Sequence, residues 1–194
     1  MSKIYHSALQ EPIDCDTEII QAEFNGDIVF RNDITTGLSK KYEKCDVLYS
    51  EPSWMQGYNK FINRAGKEKS NYNQYLSSIS EIVESCGKPI WIVLGAHAYS
   101  RITKPERVLN MKLHGYSTTV LGWNDYNEYA FTDNYDFINE LAKIYNCVGD
   151  FCCGYGNTGE IFKNNGKSFV MSDINGKCVY QVARRLFGYE DTIS

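Results

Sequence analysis

The segment 147–187 constrains the fold most, because strand and helix patterns alternate there around a glycine-rich turn. A short apolar run leads into C-C-G-Y-G-N-T-G at 152–159, a helical stretch follows, and a second apolar run ends at Asp173. A strand, a G-x-G turn and a helix present backbone amides to a ligand, and an acid after the next strand can bind two ribose hydroxyls. The pattern predicts a nucleotide-type site, although a tight turn that merely uses glycine is the alternative.

The rest of the chain alternates the same two kinds of segment, which favours an α/β fold with a mostly parallel sheet. A hairpin of 18–24 and 27–31 is predicted from Asn25-Gly26, the strongest short hairpin signal. Residues 55–72 show no periodicity and are predicted to form a polar, basic loop. The other predicted strands are 46–50 and 89–94, the other helices are 35–44, 72–86, 104–113, 136–145 and 178–187, and a late antiparallel hairpin joins 117–123 to 128–131.

Length and composition set the class of protein. With 194 residues we expect a single domain, 1–194, in which 1–26 is an N-terminal extension. The net charge of −4 excludes a protein whose whole surface is basic, but it permits one local basic patch. No apolar run approaches the roughly 18 residues of a membrane span, and the start of the chain has no apolar signal-peptide core. We therefore expect a cytoplasmic protein, in the host cytoplasm if it is viral, that does not bind a membrane.

The cysteines argue against two further classes of site. There are 7 of them, an odd number, and the chain contains no CxxC pair. A disulfide framework and a zinc site both need regular or clustered ligands, so we expect reduced cysteines and no metal.

Three segments resemble one enzyme family. D-F-C-C-G-Y-G-N-T at 150–158, with S-D-I at 172–174, is similar to the D-P-F-x-G-x-G-T-T and D-I signature of S-adenosylmethionine (SAM)-dependent amino-methyltransferases. D-V-L-Y-S-E-P-S-W at 46–54 aligns without a gap on the catalytic D-x-x-x-x-D-P-P-W of that family. In that family a strand that ends in an acidic residue precedes the catalytic motif, and residues 28–33 occupy this place in the present sequence. The resemblance spans 27–187.

The order of these segments narrows the resemblance. The catalytic strand comes before the cofactor strand, which is the circularly permuted order of the β-class adenine-N6 and cytosine-N4 methyltransferases. The fold this implies is a Rossmann-like methyltransferase sheet, and the reaction is methyl transfer from SAM to an exocyclic amine of a nucleic-acid base, adenine N6 before cytosine N4. The small size suggests a phage or mobile-element enzyme.

The resemblance also implies a role for each residue. In the family, the first motif residue and the first proline carbonyl accept hydrogen bonds from the amine, and the aromatic residue stacks on a flipped-out base. Carried over, Glu51, Pro52 and Trp54 take these roles, and Ser53 completes the catalytic motif. Asp173 would bind the SAM ribose and Asp33 the adenine. The predicted cofactor-binding residues are Asp33, Asp150, Phe151, Cys152, Gly154, Gly156 and Asp173.

Two positions depart from the family's motif. Glu51 replaces the usual aspartate or asparagine and is one methylene longer, which can displace its oxygens where placement matters. Ser53 replaces the second proline and loosens a rigid turn. A SAM-binding pseudo-methyltransferase that serves as a partner or regulatory subunit is therefore an alternative, and methyl transfer to a non-nucleic amine such as glutamine is a third reading.

Few residues remain outside the predicted core to contact a substrate. The shared core uses the residues between Glu51 and Asp150, so no separate target-recognition domain is expected. The basic loop is predicted to close over a nucleotide, with DNA favoured over RNA, although a merely solvated loop is the alternative. The segment 96–104, a homodimer or a partner subunit could also contribute. The predicted substrate-binding residues are Lys60, Arg64, Lys67 and Lys69.

Overall fold

A computed structural model describes residues 18–53, 55–66, 71–113 and 116–188 of the chain. This part of the chain forms one sheet of eight strands with helices on both faces. The strands are β1 (Gln21–Phe24), β2 (Asp27–Arg31), β3 (Val47–Ser50), β4 (Ile90–Leu94), β5 (Arg107–Leu113), β6 (Tyr116–Trp123), β7 (Cys147–Asp150) and β8 (Ser168–Asp173). The helices are α1 (Met55–Arg64), α2 (Tyr72–Cys86), α3 (Ala96–Tyr99), α4 (Asn134–Ile144), α5 (Asn157–Asn164) and α6 (Gly176–Phe187).

The sheet is mostly parallel and contains a topological switch point. Its order is β1-β2-β8-β7-β3-β4-β6-β5, and the strands from β2 to β4 in this order are parallel. The chain leaves β7 toward β8 and leaves β3 toward β4, so the two crossovers diverge from the β7–β3 pair. In open α/β sheets, ligands bind outside the carboxyl ends of the strands at such a point. The predicted α/β sheet with an antiparallel hairpin is confirmed.

Side-chain alternation divides the core into two layers. In β3, Val47 and Tyr49 pack on the side of α4, α5 and α6, whereas Leu48 packs on the side of α1 and α2. Tyr49 belongs to the layer that contains Phe137 of α4, and their ring centroids lie 6.0 Å apart. Because the side-chain period of a strand is two, Glu51 continues the Tyr49 row beyond the end of the strand.

The predicted N-terminal hairpin is confirmed as β1 and β2. Asn25 and Gly26 have φ angles of 52° and 87°, and the mirror-image turn of a tight hairpin requires positive values at both positions. β1 stands at one end of the strand order, so residues 21–24 form an edge strand of the sheet.

Three predicted elements are wrong. The predicted helix 104–113 is instead β5, in which alternate residues Leu109, Met111 and Leu113 turn toward the core. Pro105 and the glycine at 115 are residue types typical of the two ends of a helix. They favoured a helix over the strand that the alternating apolar residues indicate. The late hairpin consists of β5 and β6, and 128–131 is not a strand. The predicted helix 35–44 is two short 3-10 helices, Ile34–Thr36 and Lys40–Lys44.

The predicted basic loop is also wrong over most of its described length, because α1 occupies 55–64. Tyr58 and Ile62, one helical turn apart, are buried, and Tyr58 packs on Tyr75 of α2 with ring centroids 4.7 Å apart. Lys60 and Arg64 lie on the exposed side of the same helix. Among the described side chains of α1, two large apolar residues are buried and most others are polar, which conceals the period.

A glycine in β6 gives a test of the core. A Cβ at Gly122 would lie 2.4 Å from the Trp91 ring, which is held by a 2.7 Å hydrogen bond to Asp125 and an edge contact with Phe137. Gly122→Ala should lower the free energy of unfolding in urea by about 3 kcal/mol, because the ring cannot move aside. Gly57→Ala is the control, since its Cβ meets only the exposed ring of Phe61 and alanine favours a helix. Equal stability of the two variants would contradict the prediction.

Candidate active site

Four strand ends meet at one edge of the sheet around the switch point. The turn after β3 carries Glu51, Pro52 and Ser53, and the turn after the neighbouring β7 carries the glycines. β8 and β2 follow in the sheet and end at Asp173 and just before Asp33. Residues that are distant in the sequence are thereby brought to one edge.

The glycine turn is folded around Asp173. The Gly154 amide donates to one oxygen of the Asp173 carboxylate at 3.0 Å, and the Asn175 amide donates to the other at 2.8 Å. Each carboxylate oxygen has a second lone pair, so Asp173 can still accept hydroxyl donors. Burial raises the pKa of Asp173, and the amide hydrogen bonds oppose that rise. The side chain is held in place and is partly exposed.

The two glycines are required for different reasons. Gly154 and Gly156 both have positive φ angles, 50° and 78°, which side chains other than glycine rarely adopt. A Cβ at Gly156 would lie 2.7 Å from Val182 of α6, so this glycine allows close packing of the turn on the helix. A Cβ at Gly154 would meet no atom within 4 Å, so the backbone at Gly154 borders open space. A ligand can approach the main chain there.

The Asp150 side chain connects the ends of β3 and β7 through hydrogen bonds. Its buried carboxyl accepts hydrogen bonds from Ser50 of β3 at 2.9 Å, the Cys152 amide at 3.1 Å and Thr158 of α5 at 2.8 Å. Burial raises the pKa of Asp150 to about 7, although these three donors lower it. Asp150 therefore acts as a brace between β3 and β7.

Phe151 is the predicted cofactor residue whose side chain the structure places elsewhere. It is 1% exposed and belongs to the core layer on the α1 and α2 side. The Phe151 side chain therefore forms part of this core layer, directly before the glycine turn.

Asp33 and Asp173 are brought together because β2 and β8 are parallel neighbours. Arg31 pairs with Asp173, and the Asn32 amide donates to the Asp173 carbonyl at 3.0 Å. The Asp33 carboxylate accepts from the Thr35 amide and hydroxyl at 3.1 and 2.7 Å. The side-chain amide nitrogen of Asn32, the residue before Asp33, is buried and has no hydrogen-bond partner in the described parts of the chain. A buried donor of this kind suits a ligand acceptor.

The Glu51 carboxylate is held by two residues that sequence reasoning missed. Tyr49 Oη donates to Glu51 Oε1 at 2.9 Å, and Asn134 Nδ2, from the first turn of α4, donates to the same oxygen. Tyr49 Oη also hydrogen-bonds to Asn134 Oδ1. Burial raises the pKa of Tyr49, and the nearby Glu51 charge raises it further, so the phenol stays protonated. No sequence motif marks Asn134, which lies 83 residues from Glu51.

Ser53 makes a contact that a proline cannot make. Its backbone amide donates to Tyr75 Oη at 3.1 Å, and that hydroxyl also lies 3.6 Å from Cys152 Sγ in the glycine turn. Burial raises the pKa of Tyr75, so it remains a hydroxyl. Tyr75 of α2, which the sequence analysis did not single out, therefore links the turn after β3 to the turn after β7.

The remaining predicted site residues fall into three groups. Pro52 is buried in the turn after β3. Lys60 and Arg64 lie on α1, which begins two residues after Ser53. Trp54, Lys67 and Lys69 lie outside the described residues.

The described residues contain neither a candidate metal cluster nor a helix that could span a membrane. Among them, no group of three or more His, Cys, Asp or Glu side chains is placed to hold a metal ion. None of their helices is both long and apolar enough to cross a bilayer.

Comparison with known proteins identifies the fold. No protein-family model and no curated protein sequence matches the chain. The crystal structure of M1.HpyAVI aligns with a TM-score of 0.52 and 13% identity over 81% of this chain and 97% of that one. The M1.HpyAVI-SAM complex aligns at 0.54 and 12% over 81% and 98%. TTHA0409 from Thermus thermophilus, described as a putative DNA modification methylase, aligns at 0.54 and 11% over 83% and 96%. The chain shares the fold of these structures.

Proposed function

We propose that this protein is a SAM-dependent DNA methyltransferase that modifies an exocyclic amine of a base, adenine N6 before cytosine N4. The observation that carries the proposal is the junction of the Glu51 turn and the glycine turn at the switch point. Ser50 and Asp150, the last residues of β3 and β7, are hydrogen-bonded at 2.9 Å. A methyl donor held by one turn and an acceptor held by the other would meet there.

The residues after β7, β8 and β2 suit SAM. Asp173 keeps acceptor capacity for two ribose hydroxyls, Asp33 lies on the neighbouring strand end, and Gly154 borders open space. The unsatisfied Asn32 amide beside them would gain an acceptor from the adenine or ribose. One of the matching structures is described as a SAM complex, which supports the same assignment here.

The residues after β3 suit an amine acceptor. When bound, SAM supplies a methyl group on a positively charged sulfur. An exocyclic amine is a poor nucleophile because its lone pair is delocalised into the base. Glu51 and the Pro52 carbonyl would accept its two N–H hydrogens and so localise the lone pair. As the N–C bond forms and the C–S bond breaks, the electrons stay on sulfur and the surplus amine proton passes to Glu51 or to water.

The chain order supports assignment to the β-class. β3, with Glu51, comes before β7, with the glycine turn, although the two strands are neighbours in the sheet. β2, with Asp33 after it, precedes both of these strands in the chain and pairs with β8, which is the neighbour of β7 in the sheet. The circularly permuted class described above is expected to show the same order, which supports the proposal. We also propose that the chain is one domain, with no separate unit for target recognition.

Helix α1 is the proposed nucleic-acid contact in place of a loop. It leaves the Glu51 turn directly, packs on α2 through Tyr58, and exposes Lys60 and Arg64 one turn apart. Two cations on one exposed face of the helix that follows the proposed acceptor turn suit a phosphate backbone.

Replacing these two cations should weaken nucleic-acid binding through its electrostatic part. Lys60→Ala/Arg64→Ala should reduce the slope of log K against log salt by about 1.4 to 1.8, the value for two phosphate contacts, and should leave SAM affinity unchanged. Fluorescence anisotropy with labelled DNA at several salt concentrations measures the slope. The control is Lys143→Ala/Lys167→Ala, which removes the same charge near the opposite edge of the sheet. Equal slopes for both pairs would exclude α1 as the contact.

Transfer of tritiated methyl groups from SAM to DNA, to RNA and to protein tests the proposed function. Incorporation into DNA, located by base-resolved sequencing, is the expected result. Incorporation into protein alone would favour the glutamine-type reading. One observation favours a pseudo-methyltransferase that acts as a partner subunit: the chain itself already engages Glu51 through Tyr49 and Asn134. SAM binding without transfer to any of the three substrates would support that alternative.

A further inference from the structure

We propose that Asn134 and Tyr49 are positioning residues that hold the Glu51 carboxylate in place for the methyl-acceptor amine. This inference rests on the proposed function and assigns to the first residue of α4 a role in the acceptor half of the site. Such positioning explains how the longer and more flexible glutamate can take the place of a shorter side chain.

The need for such a clamp follows from the glutamate side chain. Glu51 has three rotatable side-chain bonds, so a carboxylate held by nothing would sample positions more than an ångström apart. An acceptor that must meet an amine hydrogen tolerates much less than that. Two donors on one oxygen remove most of this freedom, and Glu51 Oε1 receives both Tyr49 Oη and Asn134 Nδ2.

The donors and acceptors of the three side chains determine the orientation of the Asn134 amide. The Asn134 amide nitrogen faces the carboxylate, because the reversed amide would set its oxygen against Glu51 Oε1. Its oxygen therefore faces Tyr49, whose single hydroxyl proton lies within reach of both Asn134 Oδ1 and Glu51 Oε1. The three side chains form a closed set in which each contacts the other two.

Rigid elements hold both positioning residues. Tyr49 lies in the central strand β3, is 0% exposed and packs on Phe137 of α4. Asn134 begins α4, which is capped by Asp133 through a 2.8 Å hydrogen bond to the Asp136 amide. The Thr132 carbonyl, just before the cap, accepts from the Lys112 amide of β5 at 3.1 Å. The start of α4 is thus hydrogen-bonded to the sheet. Asn134 therefore has a fixed position from which it contacts Glu51.

Asn134→Asp separates positioning from a structural role. Aspartate has the size of asparagine and stabilises the first turn of a helix, so a purely structural residue would tolerate it well. Next to Glu51 it removes the donor and adds a repelling charge. We expect a variant that still folds and binds SAM with unchanged affinity but has a kcat lowered about 100-fold, with Asn134→Ala and Tyr49→Phe affected in the same direction.

Two matched control variants and one double-mutant cycle complete the test. Asn139→Ala, on the same helix, and Tyr145→Phe, whose hydroxyl binds Asp125 at 2.9 Å elsewhere, should keep the wild-type kcat. In a Glu51→Gln background, Asn134→Asp should cause little further loss, because Asn134 acts through Glu51. A wild-type kcat for Asn134→Asp, or additive losses in the cycle, would overturn the inference.

A readout without turnover separates this inference from the proposed function. The Asn134 side-chain amide, assigned in NMR spectra by its absence from Asn134→Asp, should shift in Glu51→Ala and not in Glu84→Ala. An amide signal that does not respond to Glu51→Ala would overturn the clamp even in an active enzyme. If the wild type transfers no methyl group, the proposed function fails, and the amide signal still decides whether Asn134 holds Glu51.

Discussion

Glu51→Gln should lower kcat for methyl transfer to DNA by about 1000-fold and leave the Kd for SAM unchanged. Glutamine keeps the size of the side chain but loses the charge that attracts the amine hydrogens and accepts a proton, a contribution of about 10²- to 10⁴-fold. Single-turnover transfer of a tritiated methyl group measures the chemical step, and calorimetry with SAM measures binding.

Glu84→Gln is the matched control for this change. The Glu84 carboxylate also accepts a hydroxyl hydrogen bond, from Thr103 at 2.6 Å, but it lies near the end of α2, away from the strand ends that form the site. Wild-type turnover in Glu51→Gln would remove Glu51 from the chemistry.

Asp173→Ala should weaken SAM binding by about 2–4 kcal/mol, or roughly 30- to 1000-fold. The carboxylate that would bind two ribose hydroxyls is lost, and the Gly154 amide loses its acceptor, so the glycine turn is less well ordered. Isothermal titration calorimetry with SAM and with its demethylated product measures the change.

Asp46→Ala separates ligand contact from loss of internal hydrogen bonds. Asp46 also accepts two backbone amides, those of Asn146 and Cys147 at 2.9 and 3.0 Å, but at the opposite edge of the sheet. It should cost stability without affecting SAM affinity. If Asp173→Ala binds SAM as tightly as Asp46→Ala does, the cofactor site is misplaced.

The sequence predicted elements correctly where one local pattern dominated. Asn25-Gly26 specifies its hairpin through positive φ angles alone, and α2 follows from apolar residues at helical spacing. The glycine turn after β7 was predictable because Gly154 and Gly156 adopt positive φ angles that favour glycine. In each case the information lies within a few neighbouring residues.

Prediction failed where burial was decided by distant partners. Tyr58 and Ile62 are the large buried residues among the described side chains of α1, and Tyr58 packs on the tyrosines of α2. Strand β5 has boundary residues that suit a helix, and pairing with β6 over its whole length overrides them. Propensity is a weak local preference, and tertiary contacts outweigh it at both places.

For the candidate site, the sequence by itself determined which residue types stand at the ends of β3, β7 and β8, because each follows a recognisable strand. Only the tertiary structure decided what holds them. Asn134 and Tyr75 lie 83 and 22 residues from the groups they bind, and nothing in their own neighbourhoods distinguishes them from other surface or core residues. A hydrogen bond across the sheet depends on strand order, register and helix position together, and no local pattern in the sequence records these.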